Sequence, residues 1–393
     1  MHYEYYAHII KDSHLPLAIL DIDILNKNIE DIAVRAAGLP IRVATKSVRS
    51  IAVLKHILKH EAYKGLMTYT VEEADWLLQQ GFDDILMGYP CMEDRDIEKI
   101  CLHTQAGKKA VLMVDDELHF SKINSIAKSL GVIQPVCIDV DMSMDLPGLH
   151  FGVYRSPIAD LQKFKKLADK HKSFPHTKII GLMGYEAQIA GLGDAIEGKR
   201  VMNTIVKTLK KSSIAQLSLR RKSCVDYLQQ LGITPVLING GGTGSIESTH
   251  RETWVTEVTV GSGFYSPALF DSYSTFCHKP ALCYALRIVR SPKAGMFTAM
   301  GGGYVASGSV GIEKQPLPYL PKGIKLTTNE GTGEVQTPFE YKGKEKIGIG
   351  APVFFRHAKA GELCERFNSL AVISEGKIID TFNTYRGDGM CFL

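Results

Sequence analysis

Lys46 is the residue whose type and position point most directly to chemistry. It ends a short β-branched run, Ile41–Lys46, that stands just before a helix-like stretch. Two later strand-like runs end in turns rich in glycine and hydroxyl side chains, 239–245 and 261–265. A lysine amine forms a Schiff base with an aldehyde, and glycine turns can present backbone N–H groups to a phosphate. A lysine and a phosphate cradle on opposite sides of one site are what a pyridoxal phosphate (PLP) enzyme requires.

Eight apolar, β-branched runs must position these groups, and they alternate with segments that have the apolar spacing of helices. The runs are Ile41–Lys46, Gly65–Thr68, Asp84–Gly88, Ala110–Val114, Val136–Asp139, Ile179–Gly184, Pro235–Asn239 and Val255–Val260. This order predicts an α/β fold, a (β/α)8 TIM barrel whose parallel strands are covered by helices. A doubly wound open sheet is the main alternative, and the count of eight favours closure.

After about Phe270 the chain changes to short strand-like runs between glycine, proline and asparagine turns, which predicts a second, β-rich domain. Examples are Leu282–Val289, Tyr304–Ser309 and Lys346–Val353, whereas the proline-rich stretch Lys314–Lys325 is predicted to be an irregular loop. The run Leu15–Ile22 precedes the barrel and is expected to pair with the second domain. We therefore predict a PLP-binding barrel over residues 24–272 and a β-rich domain over 273–393, joined by the N-terminal strand within 1–23.

The two glycine turns follow the seventh and eighth strands, where barrels commonly bind phosphate. The predicted phosphate ligands are Gly241, Gly242, Thr243, Gly244, Ser245, Gly261, Ser262 and Tyr265. A tight turn without a ligand explains one such turn equally well, but two turns at these two strand ends favour phosphate. Tyr185 follows the sixth strand and is predicted to line the PLP ring.

The composition excludes several classes of function. Hydrophobic residues make up 45% and charged residues 22% of the 393 residues, as in ordinary globular proteins. The net charge is +4, and basic segments such as Arg220–Lys222 are interpreted as solvated helix faces, so no nucleic-acid partner is expected. No apolar stretch approaches the ~20 residues of a membrane span. The eight cysteines include no CxxC pair and no signal-peptide pattern is present, which favours a cytoplasmic protein.

The chain resembles the fold-type III PLP enzymes, namely alanine racemase and, more closely, D-threonine aldolase and D-serine dehydratase. Arg42–Lys46 is similar to the family's lysine segment, with its proline and histidine replaced, and Gly240–Gly244 is similar to its phosphate loop. Further similar segments are the opening strand and helix at 21–28, the eighth-strand turn at 257–262 and a small-domain turn at 298–303. The resemblance implies PLP bound through Lys46, an amino acid substrate and a homodimer.

The chain departs from this family at two places that carry chemistry. Relatives have an Arg-x-Gly-Val motif after the fifth strand, whose arginine contacts PLP, whereas this chain has His150-Phe-Gly-Val, so the resemblance implies His150 at the ring oxygen. Relatives that use a divalent metal bind it with His-x-Cys or His-x-Asp near the C-terminus. Here His357 is followed by Lys359, and a protonated amine cannot coordinate a metal. Glu362 and Cys364 are nearby alternatives with unfamiliar spacing; we expect no metal, with Lys359 supplying positive charge.

The sequence therefore predicts a PLP-dependent lyase that acts on a β-hydroxy amino acid, with the D configuration expected from the resemblance. Lys46 is the Schiff-base residue, and His357 is the candidate group that decides among retro-aldol cleavage, dehydration and racemisation. A structural histidine is the alternative interpretation of His357, and the resemblance favours a catalytic role. An amino-acid racemase is the enzymatic alternative and would need a second base, for which Tyr304 and Tyr319 are available. A PLP carrier without turnover is the non-enzymatic alternative, and the long tail 277–393 argues against it.

Overall fold

The computed structural model describes residues 2–308 and 311–393, and its centre is a closed barrel of eight parallel strands. The α-helices are α1 (Tyr3–Ile9), α2 (Ile22–Arg35), α3 (Ile51–Ile57), α4 (Val71–Gln79), α5 (Asp94–Gln105), α6 (Glu117–Leu130), α7 (Leu161–Lys170), α8 (Ala187–Ala190), α9 (Arg200–Gln230) and α10 (Ile246–Thr249). The strands are β1 (Leu17–Asp21), β2 (Ile41–Ala44), β3 (Tyr63–Thr68), β4 (Ile85–Pro90), β5 (Ala110–Val114), β6 (Gln134–Asp139), β7 (Met144–Leu146), β8 (Leu149–Phe151), β9 (Thr177–Gly184), β10 (Leu237–Gly240), β11 (Glu257–Val260), β12 (Leu282–Lys293), β13 (Met296–Met300), β14 (Leu317–Leu320), β15 (Ile324–Leu326), β16 (Gln336–Tyr341), β17 (Pro352–Arg356), β18 (Ser369–Ser374) and β19 (Lys377–Asn383).

The barrel runs β2-β3-β4-β5-β6-β9-β10-β11 and closes where β11 pairs with β2. Each of its strands overlaps one of the eight predicted runs, which confirms the (β/α)8 prediction. Its interior is filled by side chains from alternate strand positions, among them Leu86, Met113, Cys137 and Met183. The outward-facing side chains pack against the helices, so most strand positions are buried on both faces and read as apolar runs.

An ion cluster around the buried Arg42 connects the strands near the amino end of the barrel. Arg42 on β2 bonds Glu257 on β11 at 2.6 Å and Asp84, just before β4, at 2.9 Å. Asn239 on β10 donates a further hydrogen bond to Glu257 at 2.6 Å. The strand that leads to Lys46 is therefore fixed by direct polar contacts to two other parts of the barrel wall, and β10 reinforces the contact to β11.

Nine of the remaining strands form one sheet, which confirms a β-rich second unit. As expected, the N-terminal strand belongs to it: β1 lies between β12, to which it is antiparallel, and β18, to which it is parallel. The domain boundaries given above stay predictions.

Two local predictions in this unit are wrong. The run 304–309 forms no strand over its described residues 304–308, and Ser309 lies outside them. The stretch 314–325 is not irregular, because β14 pairs with β17 and β15 pairs with β16. Proline at positions 316, 318 and 321 is tolerated because these are short strands near the sheet edge.

Two insertions depart from a simple βα alternation. The hairpin β7–β8 follows β6, and the 31-residue helix α9 precedes β10. None of the helices within the described residues is long and apolar enough to cross a membrane.

Candidate active site

Lys46 lies at the carboxyl end of β2, in a short 3-10 turn formed by Thr45–Ser47. The Thr45 hydroxyl donates to the Met67 carbonyl at 3.0 Å, which attaches this turn to the neighbouring strand β3. The half-buried Lys46 points its Nζ to the Tyr89 hydroxyl at 3.3 Å. Its amine therefore faces the barrel mouth rather than bulk solvent, as a Schiff-base lysine must.

A cavity of about 560 Å³ opens at this end of the barrel, within the size range of small-molecule sites. Of the residues predicted for the site, those that line it are Lys46, Tyr185, Gly241, Gly242, Thr243, Gly261, Ser262 and Lys359. The first seven come from the ends of four strands of the barrel, and Lys359 comes from the β-rich unit. The structure thus brings the lysine and both glycine turns into one cavity.

The two glycine turns are packed against each other and against the lysine turn. The Thr243 hydroxyl accepts the Gly263 N–H at 3.0 Å, and the Ser262 and Ser47 hydroxyls lie 3.0 Å apart. A Cβ on Gly261 would stand 2.7 Å from Ser47 Cβ, so glycine is required there by the close approach of the two loops. This packing holds the turns at a fixed spacing from Lys46.

Two predicted phosphate ligands in the first turn do not line the cavity. A Cβ on Gly244 would lie 2.5 Å from the Ala190 carbonyl oxygen, so this glycine is explained by packing beneath the turn. Ser245 is buried, and its hydroxyl has no hydrogen-bond partner within the described chain. Gly241, by contrast, lines the cavity with φ +83°, a backbone conformation that glycine adopts without strain.

A buried ion network supports the first glycine turn from below. Arg221, fully buried on α9, bonds both Glu186 and Glu252. Glu186 in turn accepts the Gly241 N–H at 2.8 Å and the Thr249 hydroxyl at 3.1 Å. The interpretation of Arg220–Lys222 as a solvated face is therefore wrong for Arg221, because the helix turns this side chain toward the barrel.

Tyr185 lies at the end of β9, and burial raises its pKa to about 12, so its phenol stays protonated. The guanidinium carbon of Arg155 lies 5.8 Å from the Tyr185 ring centroid and 5.9 Å from that of Tyr89. Asp139, at the end of β6, also lines the cavity, and burial followed by the charge of Asp115 raises its pKa to about 7. The sequence did not single out Arg155; its position five residues after His150 was the available signal.

His150 is not brought to this cavity. Its Nδ1 lies 2.7 Å from an Asp145 carboxylate oxygen across the β7–β8 hairpin, and its ring stacks on Tyr154 at 3.8 Å. The hairpin that the motif forms turns the histidine away from the mouth, whereas Arg155 beyond it reaches back. The expected contact of His150 with the ring oxygen is therefore not supported by its placement.

Tyr265 is also not brought to the cavity. It is fully buried, and its hydroxyl donates to the Val48 carbonyl at 2.9 Å. Burial raises the pKa of this phenol far above its ordinary value. Its contact braces the segment that follows Lys46 instead of reaching a phosphate.

His357 and Lys359 follow β17 and stand where the β-rich unit covers the barrel mouth. His357 lines an adjoining cavity of about 360 Å³, and Lys359 lines both cavities. Burial, and next the charge of Arg356, lowers the pKa of His357 to about 3, so the imidazole is neutral. Neither of its ring nitrogens makes a well-formed hydrogen bond within the described chain.

The residues present fit PLP. The Lys46 amine faces two loops whose backbone and hydroxyl groups line the cavity. A Cβ on Gly242 would lie 2.8 Å from Ala190 and 3.0 Å from Tyr185, so glycine keeps this position open. Lys46 would hold the aldehyde, and the turns at 241–243 and 261–262 would hold the phosphate. Arg155 and Tyr185 would flank the ring.

The residues near His357 do not fit a divalent metal. No group of three His, Cys, Asp or Glu side chains within residues 2–308 and 311–393 is arranged to hold one. Arg356 and Lys359, the charged neighbours of His357 in sequence, are both cationic and offer no electron pair while protonated. Of the two acids that line the same cavity, Glu365 is paired with Arg49 and Glu362 accepts the Ser307 N–H, so His357 has no second ligand arranged beside it among the described residues.

Comparison with known proteins agrees with this geometry. The 3-hydroxy-D-aspartate aldolase of Paracoccus denitrificans strain Pd 1222 is 23% identical over 249 residues, which cover 63% of this chain and 59% of that protein. The matched region thus spans less than two thirds of the curated relative.

Solved structures share the fold over nearly the whole length. D-threonine aldolase from Filomicrobium marinum superimposes with a TM-score of 0.80 at 15% identity, covering 96% of each chain. D-threo-3-hydroxyaspartate dehydratase from Delftia sp. HT23 gives a TM-score of 0.73 at 17% identity, covering 94% of this chain and 97% of that one. The sequence model of the alanine racemase N-terminal domain matches residues 20–268. This match covers the entire barrel, and the chain therefore belongs to the alanine racemase N-terminal domain family.

Proposed function

We propose that the protein is a PLP-dependent lyase that acts on a β-hydroxy amino acid of D configuration. The observation that carries this proposal is that Lys46 and the two phosphate-type turns line the same cavity. The names of the relatives support the reaction class, since they describe cleavage or dehydration of D-3-hydroxyaspartate and cleavage of D-threonine.

PLP, when bound, supplies an electron sink for the bond that breaks at the substrate Cα. Lys46 would hold the aldehyde, and its amine is the group placed to move a proton at the substrate Cα. The Tyr89 hydroxyl, 3.3 Å from Nζ, orients that amine. The Gly241 N–H is taken by Glu186, so the backbone of Gly242 and Thr243, together with Ser262, would hold the phosphate.

His357 is the group proposed to act at the substrate β-oxygen. Its imidazole is neutral at neutral pH, the form that accepts a proton. It lies in the adjoining cavity, which shares Lys359 and Glu362 with the main one. A proton taken from the β-hydroxyl favours retro-aldol cleavage, whereas dehydration needs a proton given to the leaving oxygen, so the neutral imidazole fits cleavage better.

An amino-acid racemase remains the second candidate, because Tyr304 lines the cavity that contains His357. Burial raises the pKa of Tyr304, which disfavours the phenolate that a racemase base requires. We therefore place the lyase first.

Product identification tests both candidates. The PLP-loaded protein is incubated with D-threonine, D-serine and D-3-hydroxyaspartate, and the products are identified by mass. Glycine with an aldehyde product indicates cleavage, a 2-oxo acid with ammonia indicates dehydration, and the Cα epimer alone indicates a racemase. Lys46→Ala should abolish the cofactor absorbance near ~420 nm expected of a lysine-bound PLP; a borohydride-reducible adduct retained in this variant would exclude Lys46.

We also infer that the protein is a homodimer located in the cytoplasm. The resemblance to alanine racemase supports the dimer, and the unpaired cysteines of the described chain support a reducing compartment. Sedimentation of the purified holoenzyme should give twice the 43.4 kDa chain mass; a monomer at micromolar concentration would contradict this.

A further inference from the structure

Five cationic side chains line the main cavity. Arg49 is paired with Glu365, whereas the other four have no carboxylate within ion-pair distance in the described chain. These four are Lys46, Arg155, Lys314 and Lys359. Arg42 and Arg221, which are buried elsewhere in the barrel, each meet two carboxylates. Unpaired cations in a partly desolvated cleft create a positive potential, and this attracts an anionic ligand.

Strand pairing brings two of these cations to the same end of one ladder. In the antiparallel pair β14–β17, Leu317 stands opposite Arg356. Lys314 lies three residues before Leu317, and Lys359 lies three residues after Arg356. Because the two strands are antiparallel, both lysines are at the same end of the ladder. Their proximity is reflected in the pKa of Lys359, which is lowered by burial and next by the charge of Lys314. The β-rich unit thus presents two ammonium groups to the cavity.

The carboxylates that line the cavity do not neutralise this pair. Glu362 acts on the pKa of Lys359 in the opposite sense, but it forms no ion pair with either lysine in the described chain, and its oxygens lie 3.1 and 3.3 Å from the Ser307 N–H. Asp141 accepts two hydrogen bonds within its own turn. Asp139, whose pKa is raised to about 7, carries only part of a charge at neutral pH.

We propose that Lys314 and Lys359 bind a carboxylate on the substrate side chain, so that the substrate is a dicarboxylic β-hydroxy amino acid. The assignment rests on the proposed function, in which Lys46 reacts with the cofactor aldehyde. Arg155 lies on the barrel side against the Tyr185 ring, where it would serve the cofactor proposed there. Lys314 and Lys359 belong to the β-rich unit, on the other side of the cavity. They are therefore assigned to the carboxylate at the end of the substrate side chain.

Two non-reacting ligands of nearly equal shape test this assignment. D-Aspartate and D-asparagine both lack the β-hydroxyl, and they differ in the charge of the side-chain terminus. Their dissociation constants are measured from the change in cofactor absorbance of the holoenzyme. We expect D-aspartate to bind about tenfold or more tightly than D-asparagine, because charge-assisted hydrogen bonds exceed neutral ones, and we expect the ratio to shrink at high salt.

Substitution of the lysines locates the effect. Lys314→Met and Lys359→Met keep the aliphatic stem and remove the charge, and each should bring the ratio of the two constants toward one by weakening D-aspartate alone. The affinity for D-asparagine reports whether each variant is correctly folded. Lys322→Met removes an exposed cation that does not line the cavity and should leave the ratio unchanged.

Equal affinity for the two ligands in the unsubstituted protein, or an unchanged ratio in both Met variants, overturns the assignment. Cleavage of D-threonine or D-serine without any preference for the acidic ligand would leave the proposed lyase intact and refute the lysine pair. If no amino acid changes the cofactor spectrum, the proposed function and the lysine pair fail together.

Discussion

Removal of the Arg221 guanidinium should destabilise the protein and weaken cofactor binding together. Arg221→Met leaves Glu186 and Glu252, both buried, without the cation that each now contacts. Breaking a buried ion pair by deleting one partner costs about 3–5 kcal/mol, because the remaining charge has no compensation. Since Glu186 also accepts the Gly241 N–H, the loss should spread to the phosphate turn.

The free energy of unfolding is measured by urea denaturation, and the PLP dissociation constant is measured by titration of the apoprotein. Lys222→Met is the matched control, because the exposed ion pair of Lys222 with Asp226 is worth about 1 kcal/mol or less. Neutralising both acids in the triple variant Arg221→Met, Glu186→Gln, Glu252→Gln should recover much of the lost stability. A loss below about 1 kcal/mol in Arg221→Met, with PLP affinity unchanged, would refute the positioning role.

Three further predictions concern single positions. Gly244→Ala places a Cβ 2.5 Å from the Ala190 carbonyl oxygen, so it should lower the free energy of unfolding by about 1–3 kcal/mol and weaken PLP binding. The control Gly348→Ala places its Cβ in open space and should do neither. Equal behaviour of the two variants in denaturation and PLP titration would contradict this. Burial lowers the pKa of His278 to about 4, so the folded state resists protonation. The neutral His278 therefore costs no stability above about pH 6.5, and the free energy of unfolding falls by up to about 1.4 kcal/mol per pH unit between about pH 6.5 and pH 4. In urea unfolding, His278→Phe should flatten this pH dependence, and parallel pH curves for the two proteins would argue against it. Lys359→Asp supplies a carboxylate near His357 and should create cobalt binding, visible in the absorption spectrum, that the unsubstituted protein lacks; tight cobalt binding before substitution would contradict the poor metal fit.

The barrel could be predicted because its signals are local and repeated. Each parallel strand is buried on both faces, so runs such as Ala110–Val114 are apolar throughout and are easily recognised. Lys46 and the two glycine turns could be placed because a barrel collects its strand ends at one mouth, which makes position along the chain a guide to position in space.

The remaining site residues depend on contacts that no local pattern encodes. His150 and Arg155 are five residues apart, and the β7–β8 hairpin decides which one reaches the cavity. Tyr265 is one turn beyond Ser262, yet it points into the core to meet Val48. Lys314 lies in a stretch predicted to be irregular, and the pairing of β14 with β17, which brings it to the same end of the ladder as Lys359, is concealed by the proline-rich sequence.

The central place of β1 in the second sheet has a consequence for biosynthesis. Its neighbours are β12 and β18, which pair with it at Ala285 and Leu370. Every segment of the barrel leaves the ribosome between the first of these three strands and the other two. In a nascent chain the barrel can close while both edges of β1 are still unpaired. The sheet around β1 is complete only when β18 has emerged. Sequence-distant pairing of this kind slows folding and prolongs exposure to aggregation, so yield in a heterologous host should depend on chaperone supply more strongly than the barrel alone would suggest.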